Sequence, residues 1–254
     1  MKKLVLATAI AASTFGAVST ASAVEVSANA ALTTDYKFRG ISQTNSGPAF
    51  QGGFDVDFGN GFYLGNWNSN VNFGGGTSGL EMDVYGGYAG EFKGVSYDLG
   101  LLKYYYEGSA NVSPDPDTLE VYGNLGYSGF SLGVSYSLGK DYFALTQAGV
   151  GNAAIANAQA TDLGGSTYVK LGYEYALAEN ISLAASYGIT SYSEDIFSNG
   201  ARIDGYTDYS LGVTYTVGKF DLGAAVVGTD NDAERAFGKD GTETSLIVTV
   251  GTSF

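Results

Sequence analysis

The sequence predicts an all-β chain: a transmembrane antiparallel up-and-down β-barrel of about 12 strands, spanning Val24 to Phe254 behind a cleaved signal peptide. Three observations predict it. Apolar and polar residues alternate with period 2 in segment after segment. The connections between these segments alternate between short and long. Aromatic residues on the apolar parity gather beside the short connections, and a phenylalanine occupies the last position.

The chain opens on Met1-Lys2-Lys3, an apolar and small-residue run from Leu4 to Val18, then Ala21-Ser22-Ala23. A basic start, a short apolar stretch and an A-x-A site predict a secretory signal peptide over 1–23. Beyond it, alternating segments fall near 25–36, 49–58, 62–73, 80–90, 94–105, 118–127, 130–139, 166–177, 181–191, 206–217, 220–229 and 243–254. In "FSLGVSYSL" the pattern is strict: Phe130, Leu132, Val134, Tyr136 and Leu138 face away from Ser131, Gly133, Ser135 and Ser137. Short connections lie at 59–61, 91–93, 128–129, 178–180 and 218–219. Long ones lie at 37–48, 74–79, 106–117, 140–165, 192–205 and 230–242. Pro48, Pro114 and Pro116 all fall in long connections or at a strand's first position, where a ladder tolerates them. Tilted strands of about 10 residues suffice to cross a hydrocarbon core.

A soluble barrel, a sandwich or a lipocalin-like binder alternates too, with its apolar face inward. The aromatics decide for lipid outside. Phe58, Tyr63, Tyr88, Tyr127, Phe130, Tyr175, Tyr215, Phe220 and Phe254 form the predicted girdle at the membrane interface. The opposite parity carries Gly, Ser, Asn, Asp and Glu, which suits a wet lumen.

Composition narrows the function. There is no histidine, which removes Ser-His catalysis and the commonest transition-metal ligand. No motif supports a Ser-Lys or carboxylate mechanism, so no catalytic residue, metal or cofactor is expected. No cysteine is present, so no disulfide framework forms. The net charge of −14 argues against nucleic acid as a partner. "TDNDAERAFGKDGTE" matches a Ca²⁺ loop only at Asp230 and Asp232.

Parity assigns the lumen Asp35, Asp55, Asp57, Glu81, Asp83, Asp98, Glu120, Glu174, Asp208, Asp221 and Glu243 against Lys37, Arg39 and Lys170. "GNWNSNVNF" adds Asn66, Asn68, Asn70 and Asn72 on the same side, opposite Trp67, Val71 and Phe73. The acidic excess predicts cation preference. Lys103 is the exception, on the lipid parity, and is expected to snorkel to lipid phosphate. In "TTDYKFRGISQT" the two cations Lys37 and Arg39 sit at the end of the first strand, with Tyr36 and Phe38 expected to face lipid. They read either as a positive gate at the outer mouth or as partners of nearby carboxylates. The loop 140–165, with an uncharged middle at 144–161, is long enough to fold into a pore or to lie on the surface.

The stretches "LTTDYKFRGISQT", "PAFQGGFDVDF", "GFYLGNWNSNV", "LEMDVYGGYAGE", "GVSYDLGLLKYYYEG", "YTDYSLGVTY" and "DLGAAVVGTD" resemble the TorF family of small Gram-negative outer-membrane porins. The ending "SLIVTVGTSF" resembles the C-terminal strand signal read by the barrel assembly machinery. The resemblance implies an outer-membrane barrel that acts as a channel, with no family-wide substrate. Residence in the cell outer membrane, in contact with its lipid and lipopolysaccharide, is expected, and the polar lumen suits passive diffusion of small hydrophilic solutes. A structural or adhesive barrel with a plugged lumen, working through its extracellular loops, is the alternative.

Overall fold

Period-2 alternation becomes a sheet that closes on itself. The computed structural model describes residues 23–74, 77–107, 116–140, 142, 143, 145, 163–198 and 201–254. The barrel strands in chain order are β1 (Glu25–Thr33), β4 (Ala49–Asp57), β5 (Phe62–Gly74), β6 (Thr77–Phe92), β7 (Val95–Tyr106) and β8 (Thr118–Tyr127). They continue as β9 (Phe130–Ser137), β10 (Thr167–Ala178), β11 (Ile181–Ser198), β12 (Ala201–Val217), β13 (Phe220–Thr229) and β14 (Ser245–Ser253). Each pairs antiparallel with its neighbours in chain order, and β1 meets β14 to close a twelve-stranded barrel. Between β1 and β4 lies a small hairpin, β2 (Lys37–Phe38) and β3 (Ile41–Ser42), and one helix, α1 (Asn231–Phe237), precedes β14.

The two faces follow the pleat. Val26, Phe50, Phe54, Leu99, Leu171, Leu211 and Leu246 are all exposed on the outside. An exterior this apolar has no aqueous rationale, and it is the lipid-facing belt of a membrane barrel. Phe58, Tyr88, Tyr127, Phe130, Tyr175, Tyr215, Phe220 and Phe254 lie on this outer surface. Lys103 also points outward, opposite Val84, with Nζ 3.8 Å from Asp117.

Tyr63 departs from the predicted girdle. It is paired with Gly87 and turns inward, where its hydroxyl donates to Asp98 at 2.6 Å. The rest of β5 follows the same parity, so the expected asparagine lining is reversed. Asn66 lies opposite Phe54 and Val84, both exposed outside, and Asn68 and Asn70 share that face. The amides are kept from bare lipid by one another and by neighbouring carbonyls. Asn68 Nδ2 donates to Asn66 Oδ1 at 2.6 Å, Asn66 Nδ2 to the Asp83 carbonyl at 3.0 Å, and Asn70 Nδ2 to the Pro48 carbonyl at 3.2 Å. Trp67 and Val71 point inward instead, onto an apolar cluster.

The connections differ from expectation in the same direction, toward more order. Part of the expected loop 192–205 is strand, because β11 and β12 run on to Ser198 and from Ala201. The connection 230–242 holds α1. Asp230 caps it, accepting from the amides of Asp232 and Ala233, while its other oxygen accepts from Thr207. Asp230 is thus a helix cap rather than a Ca²⁺ ligand. The predicted signal peptide up to residue 22 and all of 144–161 except Leu145 lie outside the described residues. The flanks Tyr142, Phe143, Leu145 and Leu163 pack inward with Tyr192, Ile196, Ile203, Tyr206, Ala233 and Ala236, forming an apolar stopper at the outer end.

Candidate functional site

The lumen is occupied at one end by the chain's own residues 35–44. β1 stops at Thr33 because local hydroxyl bonds replace the ladder. Thr33 Oγ1 donates to the Asp35 carbonyl at 3.0 Å, and Thr34 Oγ1 accepts from the Val248 amide at 3.0 Å. The chain then turns into the barrel as a strap, so much of the long connection expected at 37–48 lies inside the bore. Tyr36, expected on the lipid side, is only 1% exposed. It lies edge-on to Trp67, 5.4 Å away, and its hydroxyl donates to Glu81 at 2.8 Å. Phe38 is likewise interior, packed on Tyr104 and Phe143.

The strap holds its own shape. Ser42 Oγ donates to Asp35 Oδ1 at 2.5 Å, and Thr44 Oγ1 lies 2.9 Å from the same oxygen. At its tip, Phe38 pairs with Ile41 across a two-residue loop, Arg39-Gly40. Both residues have positive φ, 48° and 82°, the requirement of a type I′ hairpin. Glycine adopts this freely, but arginine pays a backbone cost of roughly 1–3 kcal/mol. Gly40 is required twice over: a Cβ there would come within 2.8 Å of Asp208 Cβ and would overlap the Thr229 methyl.

Arg39 reaches across the lumen. One guanidinium nitrogen bonds both Glu120 oxygens, at 2.7 and 2.8 Å, and the other donates to the Tyr142 hydroxyl at 2.6 Å. The guanidinium lies 4.4 Å from the Tyr168 ring centroid and 4.7 Å from that of Phe38. Burial alone would weaken its hold on a proton, but Glu120 and the tyrosines outweigh that and raise its pKa, so Arg39 stays charged. Burial pushes the Tyr142 hydroxyl up to about 12, against the pull of Arg39. Lys37 turns the other way, donating from Nζ to the carbonyls of Gly241 and Glu243 at 2.9 and 3.0 Å. Burial lowers its pKa, opposed by Asp35 and Glu243.

Register places Asp55, Asp57, Glu81, Asp83, Asp98, Glu120, Lys170, Glu174, Asp208 and Asp221 on the inner face. Glu243 lies just before β14, 3.4 Å from Lys239. Most inner carboxylates are bonded. Tyr85 donates to Asp55 at 2.6 Å, Tyr63 to Asp98, Tyr168 to Asp208 at 3.3 Å, and Thr216 to Asp221 at 2.6 Å. Tyr122 joins Tyr63 through their hydroxyls. These inward tyrosines line the inner wall as donors to the acids, and alternation alone did not single them out. Their signal was their place on the polar parity, beside the acids.

Exposure is graded along the axis. Thr33, Gln51, Ser69, Glu81 and Glu120 lie buried beneath the strap, whereas Asp57 and Glu174, toward the short turns, are exposed. The barrel is therefore stoppered in its outer half and open toward its short-turn end.

A family model, "Bacterial protein of unknown function (Gcw_chp)", matches residues 17–254. The chain belongs to the Gcw_chp family. No protein of curated function matches this Gcw_chp member in sequence. Among solved structures it is similar to the KdgM porin, with a TM-score of 0.52 and 9% identity over 90% of this chain and 98% of that one. A KdgM porin in complex with disordered oligogalacturonate gives 0.51 and 8%, covering 90% and 97%. The NanC porin gives 0.51 and 12%, covering 91% and 99%. At this identity the likeness establishes the outer-membrane barrel fold of the Gcw_chp chain, and it does not single out the TorF family.

Proposed function

We propose that this Gcw_chp protein is an outer-membrane channel for passive diffusion of small hydrophilic solutes and ions, close in kind to the TorF porins, captured with its inner strap seated. The observation that carries the reading is the strap itself. A polar lumen is stoppered by a segment anchored at its tip by a single ion pair, Arg39 to Glu120. A barrel of eight strands is filled by its own side chains, whereas twelve leave room that a removable segment can fill or vacate. The acids of the inner face outnumber Lys37, Arg39 and Lys170, and Asp57 and Glu174 are exposed at the open end, which supports cation preference.

The reading is tested in planar bilayers with the mature chain and with a variant whose residues 36–46 are replaced by a short Gly-Ser linker. Wild type is expected to conduct in brief openings, the variant steadily, and both with a cation-selective reversal potential. An anion-selective sign overturns the preference. The filled outer half also favours the structural or adhesive reading, in which the lumen never opens. A strap-replaced variant that inserts, folds and yet carries no current establishes that second reading.

A further inference from the structure

One row of the inner wall, just beneath the strap, carries opposite charges that do not meet. The register aligns Gly133, Lys170, Gly188, Asp208 and Thr229 across β9 to β13. Lys170 and Asp208 are two strands apart, about 9–10 Å between Cα atoms. Gly188 lies between them as a floor. A Cβ on Gly188 would overlap both Asp208 Oδ2 and the Tyr168 hydroxyl, so these two side chains meet over the glycine, Asp208 reaching from β12 and Tyr168 from the strand of Lys170. Even so, no ion pair closes. Asp208 is 4% exposed, its Oδ1 is 3.3 Å from the Tyr168 hydroxyl, and its Oδ2 has no hydrogen-bond partner. Lys170 is half-buried, and among the described residues no hydrogen bond or ion pair engages its amine.

A buried carboxylate oxygen without a donor is costly, and so is an amine withdrawn from bulk water without an acceptor. The two glycines flanking Lys170 carry no side chain of their own, and neighbouring polar groups reach over them, Asp208 and Tyr168 over Gly188 and Asn124 over Gly133. Below this row the same wall carries mostly small residues, with Gly172, Ala184, Ser186, Ser210 and Gly212 facing in. Lys170 offers donors to an anionic group, and Asp208 Oδ2 offers an acceptor to a cationic one. We propose that Lys170, Asp208 and Tyr168 form a subsite for a small zwitterion of the free α-amino acid class. The solute carboxylate would lie on the Lys170 amine, and its ammonium would donate to Asp208 Oδ2 beside the Tyr168 hydroxyl. No covalent step is involved.

The inference rests on the channel reading only for the route by which solute arrives, so its test is made without current. Saturation-transfer NMR on the detergent-solubilised mature chain uses glycine, acetate and methylammonium as probes. Glycine is expected to give the signal, with acetate and methylammonium each at least about tenfold weaker, as loss of one charge-assisted hydrogen bond implies. Lys170→Met and Asp208→Asn should each weaken glycine by about tenfold, and Lys170→Arg should retain most of it. Heat-modifiable gel mobility confirms that each variant is a folded barrel. Acetate as strong as glycine, or glycine indifferent to both substitutions, or no glycine signal, overturns the subsite. A conducting barrel that fails to bind glycine sinks this inference alone, and a silent barrel that binds it sinks the channel reading alone.

Discussion

Arg39 is the residue on which the lumen turns, and its backbone says so. A left-handed arginine at the tip of a type I′ hairpin is a poor local choice where asparagine would sit at lower cost. It persists because the guanidinium finds Glu120 and Tyr142, side chains 81 and 103 positions away in the chain. Arg39→Ala leaves the Glu120 carboxylate buried and unpaired, a loss on the order of 3–5 kcal/mol for the seated strap. The expected outcome is a large rise in open time in bilayers and protease access to 34–48 in a barrel that still shows heat-modifiable mobility. An unchanged closed state would separate the ion pair from the seating. Gly40→Ala tests the same seat by shape alone, since its Cβ meets Asp208 and Thr229. It should unseat the strap to a similar extent while leaving every charge in place, read as the same gain of cleavage in 34–48. Alternation had placed Arg39 on the inner parity and raised a carboxylate partner as one of two readings. That the partner is Glu120 could not be read, because it depends on a chain reversal inside the barrel.

At the scale of elements, β5 is the instructive strand. Its polar parity looked like lumen lining because lipid is expected to take the apolar side of any membrane strand. Here the apolar side, Trp67 and Val71, faces a strap that brings Tyr36 inside, so the interior is locally the greasier face. Phe62 and Leu64, both exposed, share the parity of the asparagines and held the clue. Asn68→Leu should then stabilise the barrel, because the amide's bonds are to its neighbour and to carbonyls already in the ladder. The expected gain is about 1 kcal/mol in urea-driven unfolding from vesicles, the scale of one added apolar group in hydrocarbon. Were Asn68 inward, the same change would instead alter conductance. Tyr63→Phe probes the facing network: it leaves Asp98 short of its 2.6 Å donor, and a destabilisation of about 1–3 kcal/mol is expected in the same assay.

Across the whole molecule, the strand count, the antiparallel order, and the alternation of tight turns with long excursions were all legible, because each depends on local pattern. Where the long excursions go was not. The strap, the cap by Asp230 and the packing of Tyr142 and Leu163 against α1 are set by contacts between segments far apart in sequence. The predicted selectivity belongs to this scale too, since it sums over a wall rather than any one residue. Raising ionic strength should shrink the cation preference, because exposed carboxylates such as Asp57 and Glu174 are screened within about 10 Å at 0.1 M salt.

The join between the first and last strands is short. β1 registers only five residues against β14, Asn29–Thr33 with Ser253–Thr249, but nine against β4. The strap crosses that join. Lys37 and the Ser42 amide both bond to carbonyls just ahead of β14, and Thr33 touches Thr249 through their hydroxyls. The segment that stops the lumen is therefore also the clasp that holds the cylinder shut along its weakest edge. Pulling it free would loosen the wall as well as clear the bore, so the order in which the two ends of the chain come together during assembly decides whether the clasp is caught inside.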